Sequence, residues 1–249
     1  MSAALDYGVQ SFCFRHFKDN ADVAQKVLDI GVQSIEVCAV HADFNDPEGW
    51  KDIVKTYNDK GVDIVSIGVQ TFTGQDSDRD FFECAALAGA KHISCHFQLE
   101  TYGKALAQVR GWSREFGIRV GIHSHGGYHF GGQPSVLNHL VGLGAPEVGL
   151  CIDTAWAMQI GPHQGNPVKW AKDFAGHIYG VHYKDFVFGR DGMWEDVVVG
   201  EGNLDLKAFV SALEEGGFDG MAVIEYEADV ENPVPALTKC VETMRALAG

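Results

Sequence analysis

The stretches VGLCIDT (148–154) and IYGVHYK (178–184) begin 30 residues apart, and each is an apolar, β-branched run that ends on polar residues. Six further runs have the same character, and the starts of the eight runs are 25, 30, 29, 27, 30, 30 and 43 residues apart. A strand, a loop, a helix and a return loop need about 30 residues. Several runs are apolar almost throughout, which is typical of parallel strands that are covered on both faces. The other six runs are YGVQSFCF (7–14), VQSIEVC (32–38), VDIVSIGV (62–69), KHISCHF (91–97), IRVGIHSH (118–125) and MAVIEYE (221–227).

Amphipathic stretches lie between these runs, for example EGWKDIVKTYNDKG (48–61) and TYGKALAQVRGWSREFG (101–117). Most have apolar residues near helical spacing, and many end in glycine, the usual residue just after a helix. Eight such units predict the α/β class and a single (β/α)₈ TIM barrel over residues 1–249. A doubly wound open sheet is the alternative, but the even spacing of eight units favours closure of the sheet.

The segment FVFGRDGMWEDVVVGEGNLDL (186–206) explains the longest spacing and follows the seventh predicted strand. The rim of a barrel, where active sites form, lies at the carboxyl ends of the strands. We therefore predict a substrate-covering loop here. Its Gly-Glu-Gly sequence lacks the spacing of a phosphate-binding loop.

The composition limits the function classes. Of 249 residues, 46% are hydrophobic and 21% are charged, which is ordinary for a globular protein with one large core. The formal net charge of -15 disfavours nucleic acid and anionic membranes as partners. The sequence shows no apolar run near the roughly 20 residues of a membrane span and no secretory signal. The six cysteines are scattered without a CxxC motif, which favours a reducing, cytoplasmic setting.

Four of the predicted strands end on residues that bind metals or transfer protons. Because the ends of parallel strands share one rim, these side chains converge although they are far apart in sequence. Two carboxylates with one or two imidazoles form a mixed nitrogen and oxygen site, which suits Mn²⁺, Co²⁺, Zn²⁺ or Mg²⁺. The sequence thus predicts one divalent metal ion at this rim. The four residues are His123, Asp153, His182 and Glu225.

Alternation along the strands adds a second polar residue to three of these ends. His125, Lys184 and Glu227 each follow a candidate ligand by two residues and therefore share its face. One member of each pair is expected to bind the metal, and the other to contact the substrate or support the ligand. An alternative interpretation is that the two strand-eight glutamates form an acidic cluster paired with Lys184 and Arg190.

Other residues near the same rim are candidates for substrate binding. His96 ends the fourth run, and His129 follows the fifth in a Gly-rich stretch, where it either contacts the substrate or belongs to a flexible loop. Trp156 follows the sixth run and could stack on a sugar face, although the pattern favours a buried core tryptophan slightly more. With Arg190 and Glu227, these residues form the predicted substrate-binding set.

The whole chain resembles the xylose-isomerase-like TIM barrels, the sugar phosphate isomerase/epimerase superfamily, which includes the endonuclease IV type. The motifs that carry the resemblance are IEV with Glu36, GIHSHGG, GLCIDT, GVHYKDF, VVVGEGNLDL and VIEYE. The resemblance implies one divalent metal held by residues of strands five to eight, which match His123, Asp153, His182 and Glu225. Many epimerases of this superfamily have glutamate where this chain has His123, and often histidine where it has Trp156. Dimers and tetramers are frequent among similar barrels, so the resemblance also allows a homo-oligomer.

The resemblance implies a metal-dependent isomerase or epimerase of a sugar or keto-sugar. In that hypothesis Glu36 or His125 removes the proton next to a carbonyl, the metal stabilises the enediolate, and Lys184 neutralises negative charge. The runner-up is a lyase that begins with the same proton abstraction and then expels a β-leaving group. An abasic-site endonuclease conflicts with the negative charge, and a non-catalytic sugar-binding protein conflicts with the retained ligand residues. The scarcity of basic residues at the rim favours a non-phosphorylated sugar.

Overall fold

The barrel strands are parallel and follow one another around a closed cylinder. The structure, a computed structural model, describes residues 2–127 and 129–247. The barrel strands are β1 (Tyr7–Gln10), β2 (Ser34–Val37), β3 (Asp63–Phe72), β4 (His92–Phe97), β5 (Arg119–His123), β6 (Val148–Asp153), β7 (Ile178–Tyr183) and β10 (Met221–Ile224). Each pairs with its neighbour in the chain, and β10 closes the cylinder by pairing with both β7 and β1. This closed order confirms the predicted (β/α)₈ barrel over the open sheet.

The helices lie outside the barrel and connect the strands. Their ends follow the expected sequence signals: Asp46 caps the second helix, Pro47 occupies its first position, and Gly61 ends it with φ 75°. The helices are α1 (Asn20–Asp29), α2 (Pro47–Lys60), α3 (Arg79–Ala88), α4 (Tyr102–Phe116), α5 (Pro134–Gly144), α6 (Thr154–Gln159), α7 (Pro167–Asp173), α8 (Leu206–Glu215) and α9 (Val234–Ala246). None of the described helices has the length and hydropathy that crossing a bilayer requires.

The hydrophobic core lies between the barrel and the helices and also fills part of the barrel. Every residue of β6 and of β7 is buried. Trp50 of α2 and Phe209 of α8 have no exposed surface. Burial on both faces explains why these strands read as almost continuous apolar runs in the sequence.

Two strands end earlier than the sequence predicts. The run 7–14 is a strand only to Gln10, because Ser11–Phe14 form a 3₁₀ helix. The Gln10 side chain starts this turn by accepting a hydrogen bond from the backbone N–H of Phe12, at 3.1 Å. The last strand ends at Ile224, so Glu225 follows the strand instead of lying within it.

The predicted loop at 186–206 is partly regular structure. Strands β8 (Asp185–Phe188) and β9 (Trp194–Val197) form an antiparallel hairpin next to the barrel. Arg190 lies at the exposed turn of this hairpin. The segment that we predicted to be a substrate-covering loop therefore contains a hairpin, in which successive residues of one strand pair with those of the other.

The Gly-Glu-Gly sequence that follows the hairpin wraps around the buried carboxylate of Asp185. The two carboxylate oxygens of Asp185 accept hydrogen bonds from the backbone N–H groups of Gly200, Gly202 and Leu204, at 2.9 to 3.0 Å. A Cβ atom at position 202 would lie 2.3 Å from Oδ1 of Asp185, so only glycine fits there. The motif thus anchors the segment after β7.

Candidate active site

Four buried side chains converge at the carboxyl end of the barrel, as the sequence predicts. Each offers a ligand atom, and these atoms all lie within 4.8 Å of one another. They come from the ends of β5, β6 and β7 and from the residue after β10. We call them the candidate metal group: His123, Asp153, His182 and Glu225.

Two residues of this group, His123 and Asp153, have donor atoms without protein partners in the described part of the chain. Both ring nitrogens of His123 and Oδ2 of Asp153 are buried and have no hydrogen-bond partner among the described residues. His123 Nε2 lies 3.6 Å from Asp153 Oδ2, and His182 Nδ1 lies 3.1 Å from Glu225 Oε2. A buried polar group without a partner costs about 1–3 kcal/mol. A divalent cation bound by two imidazoles and two carboxylates would satisfy one ring nitrogen of His123 and Oδ2 of Asp153, and the donor set suits such an ion.

Asp153 is oriented by the helix that it precedes. Its Oδ1 accepts a hydrogen bond from the backbone N–H of Trp156 at 2.8 Å and so caps α6. Its backbone N–H donates to Oγ of Ser124 at 3.0 Å. With one oxygen used by the cap, Oδ2 is the oxygen that remains for the candidate metal group.

The two carboxylates of the group have opposite pKa shifts. Burial raises the pKa of Asp153 to about 7, although Lys184 opposes the shift. Burial also opposes ionisation of Glu225, but Lys184 and His182 outweigh it and hold the pKa of Glu225 well below its usual value. Separated pKa values of two carboxyls are typical of sites that hold or move protons.

Glu36 lies beneath His182 and is fully buried. Ser66 and Ser94 donate hydrogen bonds to its Oε2 at 2.5 and 2.9 Å, and Gln10 donates to its Oε1. The same Oε1 lies 2.9 Å from His182 Nε2, although that contact is not aligned as a hydrogen bond. Despite burial, which raises it, the pKa of Glu36 is lowered by His182 and the two hydroxyls.

These contacts correct the prediction that Glu36 is a proton-abstracting base. Both of its oxygens are occupied, and it does not line the cleft. Its carboxylate instead lies against Nε2 of His182, so an ion bound by His182 would be held through Nδ1, which faces Glu225. Carboxylates that orient metal-binding imidazoles in this way tune metal affinity.

Lys184 is buried within a set of carboxylates and aromatic rings. Its ammonium forms an ion pair with Glu227 and lies 3.6 Å from Asp196 Oδ2. It also lies over the rings of Trp156 and Phe186. Burial lowers the pKa of Lys184, but the surrounding carboxylates raise it far above its usual value. Lys184 is therefore a permanent cation whose charge is already matched.

The alternative interpretation of an acidic cluster applies to part of this region. Glu227 is paired with Lys184 as that interpretation expects, but Arg190 is not. Arg190 lies on the exposed hairpin turn and is absent from the described residues that line the cleft. Its prediction as a substrate-binding residue is corrected, because the hairpin directs Asp196 rather than Arg190 toward the site.

A cleft of about 390 Å³ opens above the candidate metal group. One part of its wall is apolar backbone and side chain from the ends of β1, β2 and β3, and the other part carries imidazoles and carboxylates. A cavity at the opposite end of the barrel, of about 460 Å³, contains none of the candidate metal group. The residues that line the cleft are Gln10, Phe12, Cys38, Ala39, Val40, Gly68, Val69, His96, His123, His125, Trp156, Glu225 and Glu227.

Three further histidines cluster beside the cleft. The ring centroid of His96 lies 4.2 Å from that of His129 and 6.1 Å from that of His125. Burial, together with neighbouring imidazoles, lowers the pKa of His96 to about 2, so His96 is neutral. His125 stacks on Trp156 with centroids 4.2 Å apart. Since this stacking covers a face of Trp156, the prediction that Trp156 stacks on a sugar applies at most to its remaining surface.

The loop that carries His125 is held by α6. Gln159, the last residue of that helix, accepts a hydrogen bond from the backbone N–H of Gly127 at 2.5 Å. His125 Nδ1 lies 3.3 Å from the carbonyl oxygen of Gly126, which favours the proton on Nδ1 and leaves the lone pair on Nε2.

The sequence analysis missed several residues that support the site. Ser66 and Ser94 lie in the middle of apolar strands, where a small hydroxyl residue gives little signal. Asp196 lies in the segment that we predicted to be a substrate-covering loop. Gln10 and Phe12 lie within the run 7–14, which we took as a strand throughout, so its early end at Gln10 hid their place at the rim.

Comparisons with known proteins agree with this fold. A family model described as xylose isomerase-like TIM barrel matches residues 24–247. L-ribulose-5-phosphate 3-epimerase UlaE of Salmonella paratyphi C (strain RKS4594) is 29% identical over 103 residues, which cover 38% of this chain and 35% of the epimerase. The matched region therefore spans about a third of that relative.

Solved structures match the chain over nearly its whole length. The probable 3-DHS dehydratase AsbF of Bacillus anthracis has a TM-score of 0.72 at 15% identity, with 96% of this chain and 98% of that chain covered. A xylose isomerase-like TIM barrel protein of Mycobacterium smegmatis, in complex with magnesium, has a TM-score of 0.74 at 13% identity, with 99% and 97% covered. At these identities the likeness concerns the fold.

Proposed function

The chain belongs to the xylose isomerase-like TIM barrel family, and from this premise we propose that it is a divalent-metal-dependent isomerase or epimerase of a sugar or keto-sugar. The observation that carries the proposal is the set of unpartnered, buried donor atoms at the rim, both nitrogens of His123 and Oδ2 of Asp153. A folded protein rarely leaves such atoms together without a ligand.

The ion would be held by the candidate metal group. Mn²⁺, Co²⁺, Mg²⁺ and Zn²⁺ all accept mixed nitrogen and oxygen donors. When bound, such an ion supplies a positive charge that acidifies the proton next to a substrate carbonyl. The magnesium in the Mycobacterium smegmatis barrel supports an ion in a barrel of this type.

The proton transfer would use side chains that line the cleft. His125 lines the cleft and turns its Nδ1 to the carbonyl oxygen of Gly126, and we propose that its Nε2 accepts the proton next to the substrate carbonyl. Glu225 stays ionised and belongs to the candidate metal group, so a different side chain of the cleft would return a proton at the neighbouring carbon. Glu36 acts through His182, and Lys184 balances the carboxylates around it.

A lyase that acts on a keto-sugar or 3-keto-glycoside is the second candidate. It would share the proton abstraction and then lose a β-leaving group. The observation that favours it is the number of imidazoles at the cleft, since His96, His123 and His125 line it beside two glutamates. His96 is neutral and His123 belongs to the candidate metal group, so His125, once it has taken the proton next to the carbonyl, would return that proton to the leaving group. The dehydratase among the similar structures supports this alternative in general terms.

Metal content and deuterium exchange test the proposal together. The protein would be stripped with a chelator, reloaded separately with Mn²⁺, Co²⁺, Mg²⁺ or Zn²⁺, and analysed for metal. Each form would then be incubated in D₂O with a panel of ketoses and 3-keto-glycosides and followed by proton NMR.

We expect one metal per chain and loss of the signal of the proton next to the carbonyl. A deuterated epimer identifies an epimerase, and an unsaturated ketone with ultraviolet absorbance identifies the lyase. The matched control is the Asp153→Asn variant, which should show neither exchange nor metal. A parent protein that binds no metal after reloading would refute the proposal.

A further inference from the structure

The described side chains that line the cleft carry negative charge and no free positive charge. The charged residues that line it are Glu225 and Glu227, and none of its described lining residues is lysine or arginine. Asp153 and Glu36 lie buried just below. A substrate that enters the cleft therefore meets carboxylates, imidazoles and apolar surface.

The hairpin neutralises the nearest cation. Strand β9 carries Asp196 to the ammonium of Lys184, at 3.6 Å, while Glu227 pairs with the same ammonium. Oδ2 of Asp196 also accepts a hydrogen bond from the backbone N–H of Glu227 at 3.1 Å, which ties the hairpin to the end of β10. Lys184 is 1% exposed. A buried ammonium with two carboxylate partners is a poor site for a further anion.

Arg15 is the next cation at the rim, and it faces backbone carbonyls. Its guanidinium donates to the carbonyl oxygens of Glu227, at 2.5 Å, and Phe12, at 3.2 Å. It also lies over the Phe12 ring. These contacts hold the guanidinium beside the cleft wall and use two of its donors.

We propose that the cleft selects uncharged carbohydrates and excludes substrates that carry a phosphate or a carboxylate. This inference rests on the proposed function, because it takes the cleft to be the carbohydrate site. If the inference holds, this chain acts on a different class of substrate from the L-ribulose-5-phosphate 3-epimerase that it partly matches. In this proposal the hairpin holds Asp196 next to Lys184, so the Lys184 ammonium stays ion-paired and does not bind an anionic substrate.

Direct binding tests the inference without requiring turnover. Metal-loaded protein would be titrated by calorimetry with a panel of ketopentoses and ketohexoses, each beside its terminal phosphate ester. We expect at least one free sugar to bind about tenfold or more tightly than its ester. Equal or tighter binding of the esters, or no binding of any free sugar, would overturn the inference. A free sugar that binds without deuterium exchange would support the inference and refute the proposed function.

Two variants test whether the ion pairing of Lys184 causes the preference for the free sugar over its phosphate ester. Glu227→Gln and Asp196→Asn each remove one negative charge from Lys184, and each should narrow the preference for the free sugar at least about threefold. Glu195→Gln, the exposed neighbour on the same hairpin strand, makes the same charge change away from Lys184 and should leave the ratio as in the parent. If all three variants change the ratio equally, Lys184 pairing is not the cause. If Arg15→Ala abolishes ester binding, the ester has a binding site and the inference fails.

Discussion

The ends of β6 and β7 each carry a buried aspartate, and the two have opposite surroundings. Asp185, after β7, gives both oxygens to three backbone N–H groups of the Gly-Glu-Gly segment. Asp153, at the end of β6, gives one oxygen to the cap of α6 and keeps the other unpartnered in the candidate metal group. Burial and position are alike, so the difference lies in whether the protein itself satisfies the carboxylate. A saturated carboxylate builds structure, and an unsaturated one is available for a ligand.

The largest expected effect is on metal affinity in the Asp153→Asn variant. Asparagine keeps an oxygen for the cap of α6 but replaces the ligand oxygen with an NH₂ group and removes a charge. We expect metal affinity to fall at least about 100-fold, equivalent to about 2.7 kcal/mol. Competition with a chromophoric chelator measures the affinity, and thermal unfolding of the metal-free protein should change little. A metal affinity equal to that of the parent would show that the unpartnered oxygen of Asp153 does not bind the metal, and that Asp153 and Asp185 do not differ in this way.

The same substitution at the other strand end, Asp185→Asn, should change stability instead. An NH₂ group would face a backbone donor, and one buried hydrogen bond would be lost, which costs about 2 kcal/mol. Urea unfolding of the metal-free proteins measures this cost without a contribution from bound ion. Metal affinity should stay within about threefold of the parent, as long as the fold holds. A large loss of metal with unchanged stability would show that both aspartates belong to one site.

A smaller effect is expected for Glu36→Gln, which keeps the shape of the residue under His182 and removes its charge. We expect metal affinity to fall about tenfold, because the imidazole loses the carboxylate that orients it. Ser94→Ala is the matched control, since it removes one hydrogen bond to the same carboxylate and leaves the charge. Equal losses in the two variants would indicate a general disturbance of the network.

The smallest effect on stability is expected at the contact between Thr154, after β6, and Lys184, after β7. Thr154 Oγ1 accepts a hydrogen bond from the backbone N–H of Lys184 at 2.9 Å and donates to its carbonyl oxygen. Thr154→Val should cost about 1 kcal/mol in urea unfolding. Unchanged metal affinity in this variant would show that the strand ends act independently, and a fall of tenfold or more would show that they are coupled.

The fold could be predicted because parallel strands that are buried on both faces leave long apolar runs at regular spacing. The convergence of His123, Asp153, His182 and Glu225 followed from the same argument, since strand ends of a closed barrel meet at one rim. Their metal-binding role stays a prediction.

The features that could not be predicted from the sequence depend on side-chain direction and on contacts between segments that are distant in the chain. Pairing of β2 with β3 shifts register between Ile35 and Glu36, and Glu36 is held beneath the site instead of lining the cleft. The hairpin depends on residues that pair across a turn, so Asp196 could not be assigned from a local pattern. Stacking of His125 on Trp156 likewise follows from the position of α6.

The candidate metal group draws its donors from β5, β6, β7 and the residue after β10, whereas Glu36, Ser66 and Ser94 come from β2, β3 and β4. In the order of synthesis, the chain completes the support before it makes the first ligand. Full coordination requires Glu225, which is placed when β10 pairs with β1 and closes the barrel. An ion held by all four residues would therefore require the closed barrel. The choice between metals would then depend on the cavity that the closed barrel forms around the ion.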